Sequence, residues 1–160
     1  MPGGVGFINP AGTFTIPPAF ESARDFQEQL AAVRIGGRWG FIDTGGELAI
    51  APRFEQAQSF HESLAAVRMN GRWGFIDRSG TVTIPAKFEK VEPFSDSLAI
   101  AYENDRPFYI DRQGQPKIVG RFLQATPFVR GLAAVLLDEQ HVVWINRTGA
   151  AVFEYSRKMR

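Results

Sequence analysis

The sequence contains no cysteine, which excludes disulfide bonds, thiolate metal sites and cysteine nucleophiles. It has almost no net charge, +1 from 18 basic and 17 acidic residues, so nothing favours a nucleic-acid or anionic-membrane partner. No apolar run approaches the roughly 20 residues that a membrane-spanning helix needs. The first five residues lack the basic region and apolar stretch of a signal peptide, which makes the cytoplasm the default compartment.

The chain does contain an internal repeat. Residues 30–43 and 64–77 differ at only two of fourteen positions, at an offset of 34. The spacing continues over five units, with one residue added near Gln140, and keeps isoleucine (Ile8, Ile42, Ile76, Ile110, Ile145), glycine (Gly12, Gly46, Gly80, Gly114, Gly149) and phenylalanine (Phe20, Phe54, Phe88, Phe122) in register. We therefore predict a single domain over residues 1–160, with units at 5–29, 30–63, 64–97, 98–131 and 132–153 and a charged tail at 154–160.

The residue pattern of one unit predicts an all-β, three-stranded antiparallel meander. Residues 64–68 and 72–77 are apolar or aromatic segments joined through Asn70–Gly71, a strong hairpin signal. Residues 81–84 alternate polar and apolar, and Asp77 and Gly80 suit the intervening tight turn. A connection of about a dozen residues, with room for a single helical turn, leads to the next unit. Stacking of units would bury the faces that one meander leaves exposed.

Two arrangements of the units remain open: an open twisted array, or a small five-bladed, propeller-like ring. A ring needs a C-terminal strand to supply the Leu-Ala-Ala-Val segment that the first unit lacks. Residues 154–160 carry three charges in their last four residues and suit a central strand poorly. The sequence therefore favours the open array.

The string Gly-Arg-Trp-Gly-Phe-Ile-Asp, with the glycine, isoleucine, phenylalanine and Leu-Ala-x-Val positions that follow it, resembles the bacterial WG repeat (WG β-repeat) family. The resemblance covers roughly residues 5–153. The Trp-Gly pair itself occurs only at Trp39 and Trp73, and the outer and fourth units depart from it. The resemblance implies a repeat fold but brings no catalytic residues and little about function.

Residues for catalysis or metal binding are not brought together by the pattern. The two histidines, His61 and His141, lie in different units at positions where histidine does not recur. The Asp-x-x-Gly turns lack the spaced carboxylates of a calcium loop, and no phosphate-loop, nucleophile-elbow or zinc-helix motif is present. We therefore expect no cofactor and no metal site, and predict that the chain is not an enzyme.

Six residues around the first hairpin are candidate contacts for a ligand or partner. Trp39 and Trp73 could stack on sugars or prolines, although aromatic residues at a repeat period more often pack in the core. An arginine ladder could bind an acidic ligand: Arg34, Arg38, Arg68 and Arg72. The alternative is that these arginines pair across the stack with two acidic ladders, Glu21, Glu55 and Glu89, and Glu28, Glu62 and Asp96.

Two functions of different classes compete. The first is a non-catalytic scaffold for protein–protein interaction, with edge strands available to a partner peptide or to self-association. The second is a glycan- or cell-envelope-binding module. A contiguous exposed aromatic groove would favour glycan, and a flat face of mixed polarity would favour protein.

Overall fold

The computed structural model describes residues 4–156, and this range is built from strands and turns without any helix. The prediction of an all-β repeat fold is therefore confirmed. The described residues accordingly contain no helix long and apolar enough to cross a membrane. Of the predicted charged tail, residues 154–156 belong to the last strand and residues 157–160 lie outside the described residues.

The strands form one two-stranded and four four-stranded sheets in tandem, numbered 1 to 5 along the chain. Sheet 1 pairs β1 (Val5–Ile8) with β2 (Phe14–Phe20). Sheet 2 contains β3 (Ser22–Ala23), β4 (Leu30–Ile35), β5 (Arg38–Asp43) and β6 (Leu48–Phe54), and sheet 3 contains β7 (Gln56–His61), β8 (Leu64–Met69), β9 (Arg72–Ile76) and β10 (Val82–Phe88). Sheet 4 contains β11 (Lys90–Val91), β12 (Ala99–Glu103), β13 (Arg106–Ile110) and β14 (Pro116–Ile118), and sheet 5 contains β15 (Gln124–Ala125), β16 (Leu132–Asp138), β17 (His141–Asn146) and β18 (Ala151–Ser156).

The connection between units contributes a fourth strand to each of sheets 2 to 5. In sheet 2 the three predicted strands are β4, β5 and β6, and the short β3 joins them by pairing Ser22 with Arg34 and Ala23 with Val33. The chain then returns through a tight turn at Glu28 and Gln29, both in the left-handed region with φ of 49° and 68°. The extra strand satisfies backbone groups of the apolar β4 that would otherwise be left unpaired.

The turns take the geometry that their residues predict. The glycine of every Asp/Asn-x-x-Gly turn has a positive φ, from 75° to 87°, at Gly12, Gly46, Gly80, Gly114 and Gly149. Asp77 Oδ1 accepts the backbone N–H groups of Ser79 and Thr81 at 2.9 and 3.0 Å. The Ser79 hydroxyl also donates to this oxygen at 2.6 Å and is the main reason why the pKa of Asp77 lies below its usual value.

The core contains apolar clusters that lie between sheets 1 and 2, between sheets 2 and 3, and between sheets 4 and 5. Alternate residues of one strand enter different clusters, because successive side chains point to opposite faces of a sheet. In β4, Ala31 and Val33 pack with Ile16 of sheet 1, whereas Leu30 and Ala32 pack toward sheet 3. Sheets 4 and 5 share an equivalent cluster. The predicted sharing of apolar residues between neighbouring units is present, but as a series of layers rather than as one continuous core.

The chain divides into two compact units, Met1–Ala86 and Lys87–Arg160. Among the described residues, sheet 1 contains only β1 and β2, and sheet 5 contains only β15 to β18. No described strand from one end of the chain therefore completes a sheet at the other end. The tandem all-β sheets agree with the predicted array and with its propeller-like alternative.

Substituting the turn glycine Gly80 tests the turn geometry. Gly80→Val should lower the free energy of unfolding by about 1–3 kcal/mol, because a β-branched residue is strained at positive φ. A Cβ at Gly80 would also meet the Ile50 side chain at 3.0 Å. Gly12→Val is the matched control for the steric contact. Gly12 also has a positive φ, 79°, but a Cβ there would have no other atom within 4 Å. Chemical denaturation measures both, and a Gly80→Val protein as stable as wild type would contradict the geometry.

Phe54 tests the layered core, since its side chain is fully buried in the cluster between sheets 2 and 3. Phe54→Ala should destabilise the protein by about 3–5 kcal/mol through lost burial and the cavity left behind. Phe14→Ala serves as the control, because Phe14 is exposed and should cost well under about 1 kcal/mol. Equal melting temperatures for the two variants would exclude the layered core.

Candidate functional site

The two tryptophans of the repeat motif sit near one end of their strands and are only half-buried. Trp39 packs against the cluster between sheets 2 and 3, and the guanidinium of Arg24 lies over its ring at 5.4 Å. Arg24 also donates from Nε to the carbonyl oxygen of Ala57 in sheet 3 at 2.8 Å. Trp73 occupies the equivalent place in β9. Trp39 is thus tied into contacts between sheets and is not an isolated stacking surface.

Two arginines of the predicted ladder, Arg34 and Arg68, pair with glutamates of the preceding unit, as one alternative predicted, and each pair lies beside a single sheet. Arg34 Nε lies 3.5 Å from Glu21 Oε2, and Arg68 Nε lies 3.9 Å from Glu55 Oε2. The cause is the fourth strand of each sheet. Its pairing with the Leu-Ala-Ala-Val strand places the preceding glutamate beside the arginine of that strand. The paired side chains are between about one-third and one-half exposed, so each ion pair contributes no more than about 1 kcal/mol.

A shallow cleft of about 440 Å³ lies beside these pairs and is lined by Arg38, Pro52, Arg53, Glu55, Met69 and Asn70. Of the candidate arginines of the ladder, Arg38 lines this cleft. Arg72 is exposed at the equivalent position of β9. Because Arg38 and Arg53 share the cleft with Glu55, the cleft is not purely cationic.

The first acidic ladder holds the hairpins themselves. The Glu21 carboxylate accepts the backbone N–H of Gly37 at 3.1 Å, and Glu55 accepts that of Gly71 at 3.0 Å. Glu89 accepts the N–H of Asn104, in the corresponding turn of sheet 4, at 2.8 Å. These glutamates recur because the turns need an acceptor.

The second acidic ladder joins neighbouring sheets. Glu28 accepts the backbone N–H of Ser63 at 3.0 Å, and Asp96 accepts that of Gly131 at 2.7 Å. In both cases the acceptor stands in one tight turn and the donor in the equivalent turn of the next sheet. These acidic side chains and backbone N–H groups therefore also provide pairing between units. In addition, Arg78 Nη1 of sheet 3 lies 3.9 Å from Glu28 Oε2.

A different surface, which the sequence reasoning missed, lies on sheet 5. The ladder pairs Trp144 with Ala134 and Phe153, and Val142 with Leu136 and Tyr155, so these side chains share one face. We call this surface the terminal face and define it by Leu132, Ala134, Leu136, Val142, Trp144, Phe153 and Tyr155. It contains no charged residue. The opposite face of the sheet packs on Tyr109 and the rest of the cluster shared with sheet 4.

The terminal face corresponds to a face that is covered in the other complete sheets whose clusters are described. Leu132, Trp144 and Phe153 are 38%, 41% and 60% exposed. The residues at the equivalent positions of sheet 2, Leu30, Phe41 and Ile50, are 6%, 0% and 3% exposed beneath sheet 3. In sheet 4 those positions hold Leu98, Tyr109 and Ile118, which are buried by sheet 5. Sheet 5 thus presents an interface without a partner among the described residues.

Neither histidine is part of this face. His61 is exposed in sheet 3, and His141 lies in β17 with Nε2 3.6 Å from Glu154 Oε2 at the exposed margin of sheet 5. They stand in different sheets. Among the described residues, no group of three or more histidines and carboxylates is placed to hold a metal ion.

Small antiparallel sheets that repeat at about 34 residues, with apolar layers between neighbours, define a tandem β-repeat protein. The chain belongs to the WG containing repeat family, whose model matches residues 6–39, 39–73, 73–106 and 108–140. A comparison with curated protein sequences finds no significant match.

Solved structures with a similar fold are β-propellers. BamB from Moraxella catarrhalis is 13% identical with a TM-score of 0.53, the match covering 91% of this chain and 52% of that one. A eukaryotic initiation factor is 12% identical with a TM-score of 0.62, over 95% of this chain and 49% of that one. The computationally designed Ika4 protein is 11% identical with a TM-score of 0.50, over 82% and 87%. The chain spans about half the length of the first two, and at these identities the likeness concerns the fold alone.

Asp96 provides a test of the links between sheets. Asp96→Ala should destabilise the protein by about 1–3 kcal/mol, because the partly buried N–H of Gly131 loses its acceptor. Asp96→Asn should recover most of that loss, since an amide oxygen still accepts and asparagine tolerates the φ of 52°. Arg34→Ala, at an exposed ion pair, should change stability by less than about 1 kcal/mol. Chemical denaturation of the three variants would contradict the link if Asp96→Ala matched wild type.

Proposed function

We propose that this protein is a non-catalytic repeat scaffold that binds another protein through the terminal face. The observation that carries the proposal is the exposure of an apolar sheet surface whose counterparts in sheets 2 and 4 are interfaces. Repeat proteins usually need a polar outer face on the terminal repeat to remain soluble. Large contiguous apolar patches on a protein surface commonly mark sites of interaction.

The chemistry of the terminal face fits a protein partner. Trp144 and Tyr155 are aromatic residues of the kind that concentrate binding energy in protein interfaces. Leu132, Leu136 and Val142 lie around them and supply aliphatic area without charge. A flat sheet surface of this kind can pack against an apolar sheet or helix face, as it does between sheets inside the chain.

Glycan binding is a second candidate, and one observation favours it. Trp144, Phe153 and Tyr155 are exposed neighbours on the same sheet face, and aromatic rings can stack on sugar rings. Sugar hydroxyls, however, need several hydrogen-bonding groups beside the rings, and most side chains of the terminal face are aliphatic. The balance of the surface therefore supports a protein partner.

The absence of enzyme activity remains part of the proposal. Catalysis generally requires unlike polar groups that converge on one point. The recurring polar residues instead have folding roles: Asp77 holds a turn, Glu55 holds a hairpin and Asp96 links two sheets. A second open cleft, about 450 Å³ in volume, lies in the C-terminal unit, and its lining includes Asp111, Arg112, Lys117 and Arg147.

Affinity capture with a paired set of variants tests the terminal face. Full-length protein, a Trp144→Ser/Phe153→Ser variant and a control Leu48→Ser/Val82→Ser variant would be immobilised and exposed to native lysate of the source organism. All four substituted residues are exposed, so the melting temperatures should stay close to that of wild type. We expect specific proteins to be retained by wild type and control and lost by at least about tenfold from the face variant, equivalent to about 1.4 kcal/mol.

A glycan panel probed with the same three proteins separates the candidates. Glycan retention that only the face variant loses, without any captured protein, would replace the protein partner by a glycan. Identical capture by all three proteins would show that the terminal face is not a binding surface.

A further inference from the structure

The free edge of β1 in sheet 1 is a second place where the structure departs from the repeat pattern. β1 pairs with β2 through Val5↔Phe20, Phe7↔Ile16 and Ile8↔Phe14. The same register, with irregularities at the same steps, recurs 34 residues later between β5 and β6, as Trp39↔Phe54, Phe41↔Ile50 and Ile42↔Leu48. β1 is thus structurally equivalent to an inner strand of the complete sheets.

Every equivalent of β1 is paired on both of its edges. On the side away from β6, β5 pairs with β4 over six residue pairs, from Leu30↔Asp43 to Ile35↔Arg38. β9 pairs in the same way with β8, β13 with β12, and β17 with β16. β1 has no such neighbour among residues 4–156, because sheet 1 contains two strands.

The missing neighbour leaves apolar side chains incompletely covered. Phe7 contacts the rings of Phe20 and Phe26, with centroids 6.4 and 4.7 Å away, yet remains only half-buried. Its equivalent in sheet 2, Phe41, is fully buried and stands opposite Ala32 of the neighbouring strand. The absence of a strand equivalent to β4 beside β1 therefore accounts for part of the exposure of Phe7.

The free edge of β1 also lacks the features that usually protect an edge. Natural edge strands are commonly interrupted by proline or carry charged side chains. Of the outer edge strands, β2, β6, β10 and β14 contain proline, at Pro17 and Pro18, Pro52, Pro85 and Pro116, and β18 carries the charged Glu154. β1, with the sequence Val-Gly-Phe-Ile, contains neither proline nor charge.

We propose that the free edge of β1 binds, in antiparallel pairing, an extended segment of a partner protein with a Leu-Ala-Ala-Val type of sequence. The occupant is defined by the four strands that fill the same place in sheets 2 to 5. The position paired with the recurring isoleucine is alanine in all four, at Ala31, Ala65, Ala99 and Ala133. The next position is Ala32, Ala66, Ile100 and Ala134, and the one after it is Val33, Val67, Ala101 and Val135.

This register specifies what each residue of the bound segment meets. The first alanine of the bound segment would pair with Ile8, the second alanine with Phe7, and the valine with Gly6. In sheet 2, Ala31, Ala32 and Val33 pair in the same way with Ile42, Phe41 and Gly40. Main-chain hydrogen bonds would supply affinity and the small side chains would supply selectivity. This edge and the terminal face have no residue in common, so separate variants test the two proposals.

A peptide taken from the chain itself provides the probe. A labelled peptide of residues 28–37 would be titrated with the full-length protein and followed by fluorescence anisotropy. The control peptide carries prolines at the positions of Ala31 and Ala32. Adjacent N–H groups of a strand point in opposite directions, so one of the two prolines must remove a pairing donor. We expect saturable binding of the first peptide, and binding weaker by at least about tenfold for the control.

A second protein fills the edge from within the chain. Residues 22–37 would be duplicated between Gly3 and Gly4, because Gly4 is equivalent to Arg38 and the copy would enter in the natural register. This protein should melt at a higher temperature than wild type and no longer bind the peptide. The Trp144→Ser/Phe153→Ser variant should bind the peptide as wild type does.

Three results would overturn the proposal. Equal binding of the proline peptide would mean adhesion without strand pairing. Absence of peptide binding, together with an unchanged melting temperature of the filled protein, would mean that the edge accepts no strand. A wild-type dimer in sedimentation experiments that the filled protein abolishes would assign the edge to a second copy of this chain in place of a different partner.

Discussion

Apolar contact between the faces of consecutive sheets is the interaction on which the rest of the structure depends. A small sheet has two faces and cannot bury either without a neighbour. In the N-terminal unit, sheet 2 solves this by packing Val33 and Ile42 on sheet 1 and Phe41 and Ile50 on sheet 3. In the C-terminal unit, sheet 5 is buried on one face against sheet 4. Each sheet is therefore stable only as a member of a series.

This double burial explains the composition of the repeat. A strand with one solvated face alternates apolar and polar residues, whereas a strand covered on both faces is apolar throughout. β4 and β8, with the sequence Leu-Ala-Ala-Val, are of the second kind, and their alanines keep the layers close. In sheet 4, Tyr109 stands where the other inner sheets have phenylalanine. Its buried hydroxyl keeps a hydrogen-bond partner by donating to the Thr126 carbonyl at 2.8 Å. Burial raises the pKa of Tyr109 above the usual value.

Much of this fold could be predicted from the sequence because the signals are local and repeated. Gly80 and Gly71 mark turns through their own backbone freedom, and Phe54 marks the core at a fixed period. The fourth strand could not be predicted in the same way, because a two-residue strand such as Ser22–Ala23 has no periodicity and is stabilised by its pairing with β4. That pairing also explains why Arg34 meets Glu21 beside one sheet, although the two residues belong to neighbouring units of the repeat.

The terminal face was missed for a related reason. Trp144, Phe153 and Leu132 fill positions that are buried elsewhere, so the pattern alone classifies them as core. Their exposure depends on what covers sheet 5, and no residue in the pattern encodes that. The departure from the repeat at Trp144, where the other units have phenylalanine or tyrosine, was the one local signal. In contrast, the hairpin tryptophans Trp39 and Trp73 were candidate contact residues in the sequence, although Trp39 packs between sheets.

The turn-to-turn hydrogen bonds give the series of sheets a polarity, in the sense in which a filament has two unlike ends. Each link runs from an acidic side chain to an N–H group one sheet further on, from Glu28 to Ser63 and from Asp96 to Gly131. The position that carries the acid is occupied in sheet 5 by Arg130, with φ of 52° like its predecessors. That turn receives a link and has no carboxylate with which to make another. A further unit stacked on the terminal face would find the arginine Arg130 where sheets 2 and 4 offer a carboxylate, so the link could not be repeated there with the same chemistry.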